Sequence, residues 1–420
     1  MREMKDSGIS WVGEIPKEWS VNRAKYCFVN TKEIAGCRSD RYERLALTMN
    51  GVIKRSKDDS NGLQPEKFET YQILRPDELV FKLIDLQNVS TSRVGLSPYL
   101  GLVSPAYIIL KSNKRVLPAF AEKYFLMLWK NQIFNALGDA GVRSNLNSKD
   151  LLELSIPFPS LDEQQRIAEF LDRECGKIDG LKADIQAQID TLEQYKRSVI
   201  TEAVTHGLNL SAPMKDSGAG WMPLIPLHWK ADKLKFHLRQ RGIKNQIDKQ
   251  VLSLYREYGI VPKDSRDDNH NVTSEDVSDY RYVRVGDFVV NKMKAWQGSV
   301  AVSNYEGIVS PAYFVYEFSD DLINKRYFHY LMRNKTYATE FRRLSGGIRE
   351  GQWDLPSEAL NNTIILLPPL DEQQEIADYL DNKCAEIERI IADKKSQIET
   401  LDGYKKSLIY EYVTGKKEVV

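Results

Sequence analysis

A chain that repeats itself is confined to architectures built from two copies of one unit, and this 420-residue sequence repeats plainly. Met4 to Trp19 returns as Met214 to Trp229 with nine of sixteen positions identical, at an offset of 210 residues. Leu161 to Thr205 returns as Leu370 to Thr414 with 24 matches in 45, at an offset of 209. Between these segments the halves diverge, except for Val103-Ser104-Pro105-Ala106-Tyr107 against Val309-Ser310-Pro311-Ala312-Tyr313 and Gly141-Val142-Arg143 against Gly347-Ile348-Arg349. Each half is therefore a variable block followed by a shared one.

The shared block reads as one long helix. Apolar or small residues fall at Ile167, Leu171, Cys175, Ile178, Leu181, Ile185, Ile189, Leu192, Tyr195 and Val199, about 3.56 residues per step, between the heptad and straight-helix periods. The second copy runs Ile376, Leu380, Cys384, Ile387, Ile390, Lys394, Ile398, Leu401, Tyr404 and Leu408, broken only by Lys394. Neither segment contains proline, and Ser160-Leu161-Asp162-Glu163 has capping-box spacing. At 1.5 Å per residue each helix is a rod of roughly 60 Å. One such stripe cannot be buried by its own helix, so the two helices are expected to pair, antiparallel because a folded block lies between them. Packing of each helix on its own domain is the other possibility.

The variable blocks carry short runs rich in β-branched and aromatic residues, such as Tyr280 to Val290 and Gly307 to Tyr316, bounded by Gly, Asp and Asn. Helical stretches run from Ala119 to Leu137 and from Leu322 to Phe341. Each block is thus expected to be a mixed α/β (α+β) domain. The expected division is a first globular domain over 1–159, a first long helix over 160–205, a second domain over 206–367, a second helix over 368–414 and a tail over 415–420.

Charge and composition narrow the function classes. The whole chain is neutral, but the helices 161–205 and 370–414 together carry −9, so the remainder carries +9. Mildly basic blocks rich in Tyr, Trp, Asn and Gln are compatible with a nucleic-acid surface. Four scattered cysteines, Cys27, Cys37, Cys175 and Cys384, read as reduced thiols, and the five histidines show no HxxxH or HExxH spacing. GxGxxG, GxxxxGK[ST] and GxSxG are all absent, so no catalytic site, metal or cofactor is expected. Ser104-Pro105-Ala106-Tyr107 has the outline of a base-flipping methyltransferase motif, with alanine in place of its second proline; the plainer reading is a proline bend in a buried strand. No apolar run is long enough to span a membrane, and the charged start Met1-Arg2-Glu3-Met4-Lys5 has no secretory character. The expected location is the cytoplasm.

The order of these blocks resembles a known family. The helix openings Ser160-Leu161-Asp162-Glu163-Gln164-Gln165-Arg166-Ile167-Ala168 and Pro368-Pro369-Leu370-Asp371-Glu372-Gln373-Gln374-Glu375-Ile376-Ala377, the Trp-x-x-x-Ile-Pro-x-x-Trp segments ending at Trp19 and Trp229, and Gly286-Asp287-Phe288-Val289-Val290-Asn291-Lys292-Met293 are similar to those of the specificity subunit of Type I restriction-modification systems. The resemblance spans essentially the whole chain. In the first half, Ser160 replaces the proline of the helix opening, and Arg75-Pro76-Asp77-Glu78-Leu79-Val80-Phe81-Lys82 stands where the second half has the cleaner Val285 to Val290.

The resemblance implies a non-catalytic subunit whose two variable blocks are target recognition domains. Each would read half of a bipartite, asymmetric site in double-stranded DNA. The paired helices would form the spacer and dock two adenine methyltransferase subunits, with restriction and translocase subunits joining the complex. Direct readout favours Arg, Lys, Asn and Gln on loops, with an aromatic for stacking or thymine contact. In the second block these are Lys292, Lys294, Trp296 and Gln297, with Arg349 and Gln352; in the first they are Gln87, Asn88 and Arg93, with Arg143 and Asn145. For each, contact with phosphate or water is an equal possibility. Partner docking is assigned to the helix starts, Glu163, Gln164, Gln165, Glu372, Gln373 and Gln374, with a merely solvated face as the alternative. The competing functional class is a coiled-coil scaffold whose repeated blocks bind proteins rather than DNA.

Overall fold

The computed structural model describes residues 2–59, 67–86, 91–137, 145–256, 258–265, 273–347 and 353–419. It divides into two compact units, Met1–Ile185 with Lys395–Val420, and Gln186–Lys394. Two long helices, Leu161–His206 and Leu370–Val413, each contribute to both.

In the first unit an antiparallel sheet places Phe28–Thr31, Ile108–Ser112, Leu79–Phe81 and Val94–Leu96 side by side in that order. A second sheet orders Gly51–Arg55, Arg44–Thr48, Gly101–Val103 and Gln72–Leu74, with one parallel bridge, Leu102 to Arg44. The helix Pro118–Lys130 buries Phe120, Tyr124, Phe125 and Leu128 against the first sheet, where Phe125 meets the edge of Phe81 with ring centroids 5.0 Å apart. Strand Ser20–Arg23 pairs with Ser155–Phe158, and the latter leads the chain into the long helix.

The second unit repeats this plan with different residues. Its antiparallel sheet runs Leu238–Arg241, Tyr313–Phe318, Phe288–Asn291, Val300–Val302. Lys230–Lys233 pairs with Ile364–Leu367 as the counterpart of the strand pair before the first long helix. The parallel bridge also recurs, as Val251 to Ile308. One close approach explains a glycine in each copy. A Cβ on Gly101 would sit 2.7 Å from Glu43 O, and one on Gly307 would sit 2.5 Å from Gln250 O, so only glycine fits where the two strands meet.

The structure settles the register that the first half left open. Asp77 (φ 63°) and Gly286 (φ 88°) occupy the same left-handed turn position. Leu79-Val80-Phe81 then pairs with Leu110-Ile109-Ile108 as Phe288-Val289-Val290 pairs with Tyr316-Val315-Phe314. Two sequence readings are corrected. Pro105 and Ala106 are exposed in a turn closed by the Tyr107 N–H on Ser104 O, so Ser104 to Tyr107 is a surface corner rather than a bend in a buried strand. The long helical stretches are each broken in two, at Gln132 (φ 61°) and at Asn334, whose side chain accepts from the N–H groups of Thr336 and Tyr337 and starts a new helix.

Within each unit the long helices pair antiparallel. In the first unit the Phe170 and Tyr412 rings are 4.4 Å apart, Lys405 Nζ donates to Asp179 at 2.7 Å, and Lys182 bonds Asp402. Ile167, Leu171, Cys175 and Ile178 share a core with Leu408, Ile409 and Val413, each buried Ile or Leu stabilising the pairing by about 2 kcal/mol. In the second unit Lys196 bonds Glu388, and Lys394, the break in the apolar stripe, donates to Gln188 Oε1 at 2.5 Å. The stripe is not buried throughout. Leu181, Tyr195 and Tyr404 are about half exposed, because two helices cover a narrower band than this spacing sweeps out. All four cysteines are free thiols, and no helix among the described residues is long and apolar enough to cross a membrane.

Candidate nucleic-acid interface

In the second unit the central strand Phe288–Asn291 delivers the chain into a tight loop. Asn291 Oδ1 accepts the Met293 N–H at 3.1 Å, a short turn covers Ala295–Gln297, and Gly298 (φ 89°) sends the chain back into Val300–Val302. Lys294 and Gln297 are exposed on it, while Lys292 is half-buried and donates to Asp354 Oδ2 at 3.0 Å. Trp296 donates its indole N–H to Met293 O at 3.0 Å and meets the Trp353 ring edge-on at 5.7 Å. The Arg342 guanidinium lies 5.8 Å from both indole centroids. Trp296 is thus a braced element, and the loop carries the exposed ammonium of Lys294 beside the Lys292–Asp354 ion pair.

Lys292, Lys294, Trp296 and Gln297, expected from the sequence, lie together on this loop, and Arg342 and Trp353 join them from elsewhere in the chain. Trp353 follows directly on the segment chosen for Arg349 and Gln352, but the helix Lys335–Leu344 that supplies Arg342 carries no local signal of its place beside the loop. Arg349 and Gln352 lie outside the described residues, as do Gln87, Asn88 and Arg143 in the first unit.

The first unit mounts its loop in the same way with different side chains. The Leu146 N–H donates to Leu83 O at 3.0 Å, as the Leu355 N–H donates to Lys292 O at 3.0 Å. Asn145 is exposed, and its Oδ1 accepts the Asp85 N–H at 3.1 Å, so it fastens the loop. Arg93 is wholly buried under the loop, donating to Asp85 O at 2.5 Å and Thr91 Oγ1 at 3.3 Å. It holds the loop from within rather than presenting a guanidinium to solvent. Burial, and then the Arg93 charge beside it, draws the Lys82 ammonium below its ordinary pKa. A cationic cleft missed by sequence reasoning lies on the outer hairpin, lined by Arg41, Arg44, Lys54, Arg55 and Lys57 with Asp40 and Glu43. At the equivalent places on the second unit's hairpin, Val251 and Pro262 replace Arg44 and Lys54, as the matching bridges and strand pairs show.

The helix starts turn inward. Glu163 accepts the Trp19 indole N–H at 3.0 Å and Arg2 at 2.5 Å. Glu372 accepts the Trp229 indole at 3.1 Å and lies 2.7 Å from His228 Nε2. Gln164 is fully buried, donating to Pro159 O and accepting the Leu117 N–H; Gln373 donates to Leu322 O and Pro368 O and accepts the Asn324 N–H. Here the docking expectation needs correction, since buried and bonded side chains such as these anchor the helix to its own unit. Ser160 supplies half a capping box: its hydroxyl accepts the Glu163 N–H at 3.3 Å, while the Glu163 carboxylate is drawn to Trp19. Of the six, Gln165 is exposed and Gln374 is half-buried.

One known family matches both halves of this chain. The sequence fits the Type I restriction modification DNA specificity domain twice, over residues 57–191 and 243–400. The chain belongs to that family. A Methanocaldococcus jannaschii protein named as a type I restriction enzyme MjaX specificity subunit is 23% identical over 448 residues, covering 97% of this chain and 96% of that one. The EcoKI specificity subunit of Escherichia coli is 20% identical over 396 residues, covering 85% of this chain and 81% of that one. A chain solved in work on complex assembly and conformational transition of the type I R-M system shares the fold with a TM-score of 0.68 at 13% identity, covering 96% of this chain and 99% of that one.

Proposed function

We propose that this Type I specificity chain reads a bipartite, asymmetric site in double-stranded DNA, one unit to each half, and brings methyltransferase and restriction subunits to it without catalysing a reaction itself. The observation that carries this is one strand scaffold bearing two different sets of loop residues. The mount is kept in both units, from the Leu146-to-Leu83 and Leu355-to-Lys292 hydrogen bonds to the sheet order, while the residues offered on it change. Two readers on one plan recognise two unlike sequences, and the base pairs between them go unread.

On this reading Lys294 and Gln297 address the second unit's half-site, with Lys292 and Arg342 beside them and Trp296 bracing the loop. Arg349 and Gln352 belong to the same set, and Gln87, Asn88 and Arg143 form the first unit's set, with Arg93 and Asn145 positioning its loop. Exposed lysines and arginines supply phosphate affinity, which partner subunits supplement. The features retained on the outside of the helices support docking of two copies of one methyltransferase subunit. Leu161 and Leu370, Tyr195 and Tyr404, and Gln165 and Gln374 occupy equivalent positions and keep their identity, and the leucines and tyrosines are about half exposed.

The test is DNA binding by the chain assembled with its methyltransferase. Binding is expected to be sequence-specific, to weaken steeply with salt, and to be lost when either half-site is replaced. Sequence-independent binding, or none, favours the protein scaffold.

A further inference from the structure

We infer that one short helix in each unit, Pro118–Lys130 in the first and Lys325–Arg333 in the second, is a strut between the reading loop and that unit's long helix. Glu122, Lys123 and Asp172, and their counterparts His329, Tyr330 and Asp381, are positioning residues that restrict the spacer length accepted between half-sites. The inference rests on the DNA reading proposed above.

The strut takes hold where the chain leaves the loop. Val94–Leu96 and Val300–Val302 follow the two loops, and each is the outer strand of its sheet. An outer strand leaves a row of N–H groups that the sheet itself does not pair. The Leu96 N–H donates to Glu122 Oε1 at 3.1 Å, and the Val302 N–H donates to His329 Nδ1 at 3.3 Å. Leu96 lies opposite Leu79 and Val302 opposite Phe288, so the same strand position is held in both units.

Its other end is on the long helix. The residue after each acceptor reaches an aspartate there: Lys123 Nζ pairs with Asp172 Oδ1 at 2.5 Å, and the Tyr330 hydroxyl donates to Asp381 Oδ1 at 2.8 Å. Lys123 also donates to Glu122 Oε2 at 3.0 Å, so in the first unit a single run of charged groups leads from the Leu96 N–H to the long helix. Burial works against the Lys123 charge, and Glu122 and Asp172 outweigh it, raising the ammonium above its ordinary pKa. The strut helices are already tied at their starts, through the Leu117 and Asn324 N–H groups on Gln164 and Gln373. Lys123 and Tyr330 add a second tie farther along, six residues on in each case (117 to 123 and 324 to 330), which is about 9 Å of helix. One tie leaves a helix free to swivel; two fix its direction.

The third observation is what is kept. Asp172 and Asp381 are the same residue of the shared block, each in Leu-Asp-x-x-Cys, and both side chains are about half exposed. The groups that meet them are chemically unlike, an ammonium in one unit and in the other a phenol joined by the Arg326 guanidinium. A constant anchor met by different ligands is what fastening two different readers to one rod requires. The consequence is a matter of distance, since one base pair is about 3.4 Å of duplex. A loop free to shift that far would tolerate a neighbouring spacer, and a loop tied to the rod would not.

The experiment uses the full chain assembled with its methyltransferase. Methylation rates are measured on duplexes that keep both half-sites and change the number of base pairs between them by one in either direction. The parent is expected to prefer one spacer. Tyr330→Phe and Lys123→Met are each expected to lower that preference about tenfold, with base preferences inside the half-sites equal to the parent's. Lys123→Arg is expected to restore it. Thermal melting reports whether each variant is folded, and the Tyr330→Phe arm, which removes only a hydroxyl, stands if Lys123→Met is not. A parent that methylates the three spacers alike, a spacer preference unchanged in the folded variants, or a loss of rate equal at every spacer overturns the inference. A parent complex with no sequence preference overturns instead the DNA reading on which it rests.

Discussion

The indole N–H of Trp19 donates to Glu163 Oε2 across 3.0 Å in a buried seam at the start of the first long helix. That bond joins the two most strongly repeated motifs of the sequence, and Trp229 and Glu372 reproduce it in the second unit. The shared Leu-Asp-Glu-Gln-Gln opening is therefore in large part a clamp. Its glutamate grips the tryptophan, its first glutamine is fastened to backbone on either side, and the helix direction is set by both.

Removing that clamp has a predictable cost. Glu163→Ala leaves a buried indole N–H without its acceptor and removes one of the three carboxylates around Arg2, a loss of about 2 kcal/mol. The melting transition is expected to fall by roughly 4–8 °C. Gln165→Ala, on the exposed side of the same turn, is expected to leave melting unchanged, so that any loss of methyltransferase binding it causes is a docking effect.

Gln164→Ala and Gln373→Ala test the second half of the clamp. Each removes a donor and an acceptor from buried backbone partners, with an expected cost of about 2 kcal/mol in denaturant unfolding. No change in the unfolding midpoint would show that these glutamines are incidental.

The repeat, the long helices, their antiparallel pairing and the mixed α/β blocks were all legible, because identity and periodicity survive in a single sequence. What was not legible depended on contacts between distant segments. The docking reading of Glu163 and Gln164 failed because their partners, Trp19, Arg2 and Leu117, are far away in sequence. Arg93 looked like a surface arginine because nothing local shows that its guanidinium folds back to Asp85 O. Trp353 and Arg342 join the Trp296 loop only once the chain has folded. The exposed Tyr195 and Tyr404 fit the helical period, yet a two-helix seam is too narrow to cover them.

Gly101 and Gly307 give a prediction about fold alone. Alanine at either position presses a methyl group onto a carbonyl oxygen of the neighbouring strand. Each substitution is expected to destabilise its unit by about 1–3 kcal/mol, read as a lowered unfolding midpoint.

His329 gives a pH dependence. Burial, and then the Arg333 charge, push its pKa down to about 4 from its ordinary 6.5. Between those values the unfolded chain binds the proton and the folded one does not, so stability falls as pH drops from 6.5 to 4. With partial solvent access the loss is about 2 kcal/mol. His329→Gln is expected to flatten that limb in melting curves recorded across this range.

Trp353→Ala removes the brace from Trp296 and is expected to weaken binding at one half-site several-fold. Lys294→Ala is expected to lower the slope of log K against log salt by about 1 if it meets a phosphate. Titrations at several salt concentrations, with each half-site replaced in turn, separate the two effects.

The most direct measurement is a map of adenine methylation across the genome of a host carrying this chain and its methyltransferase, set against the same host lacking only this chain. The account predicts that one bipartite motif loses its methylation, and that exchanging the loop residues of one unit changes one half of that motif. An unchanged methylation pattern, with the proteins present and assembled, would contradict it.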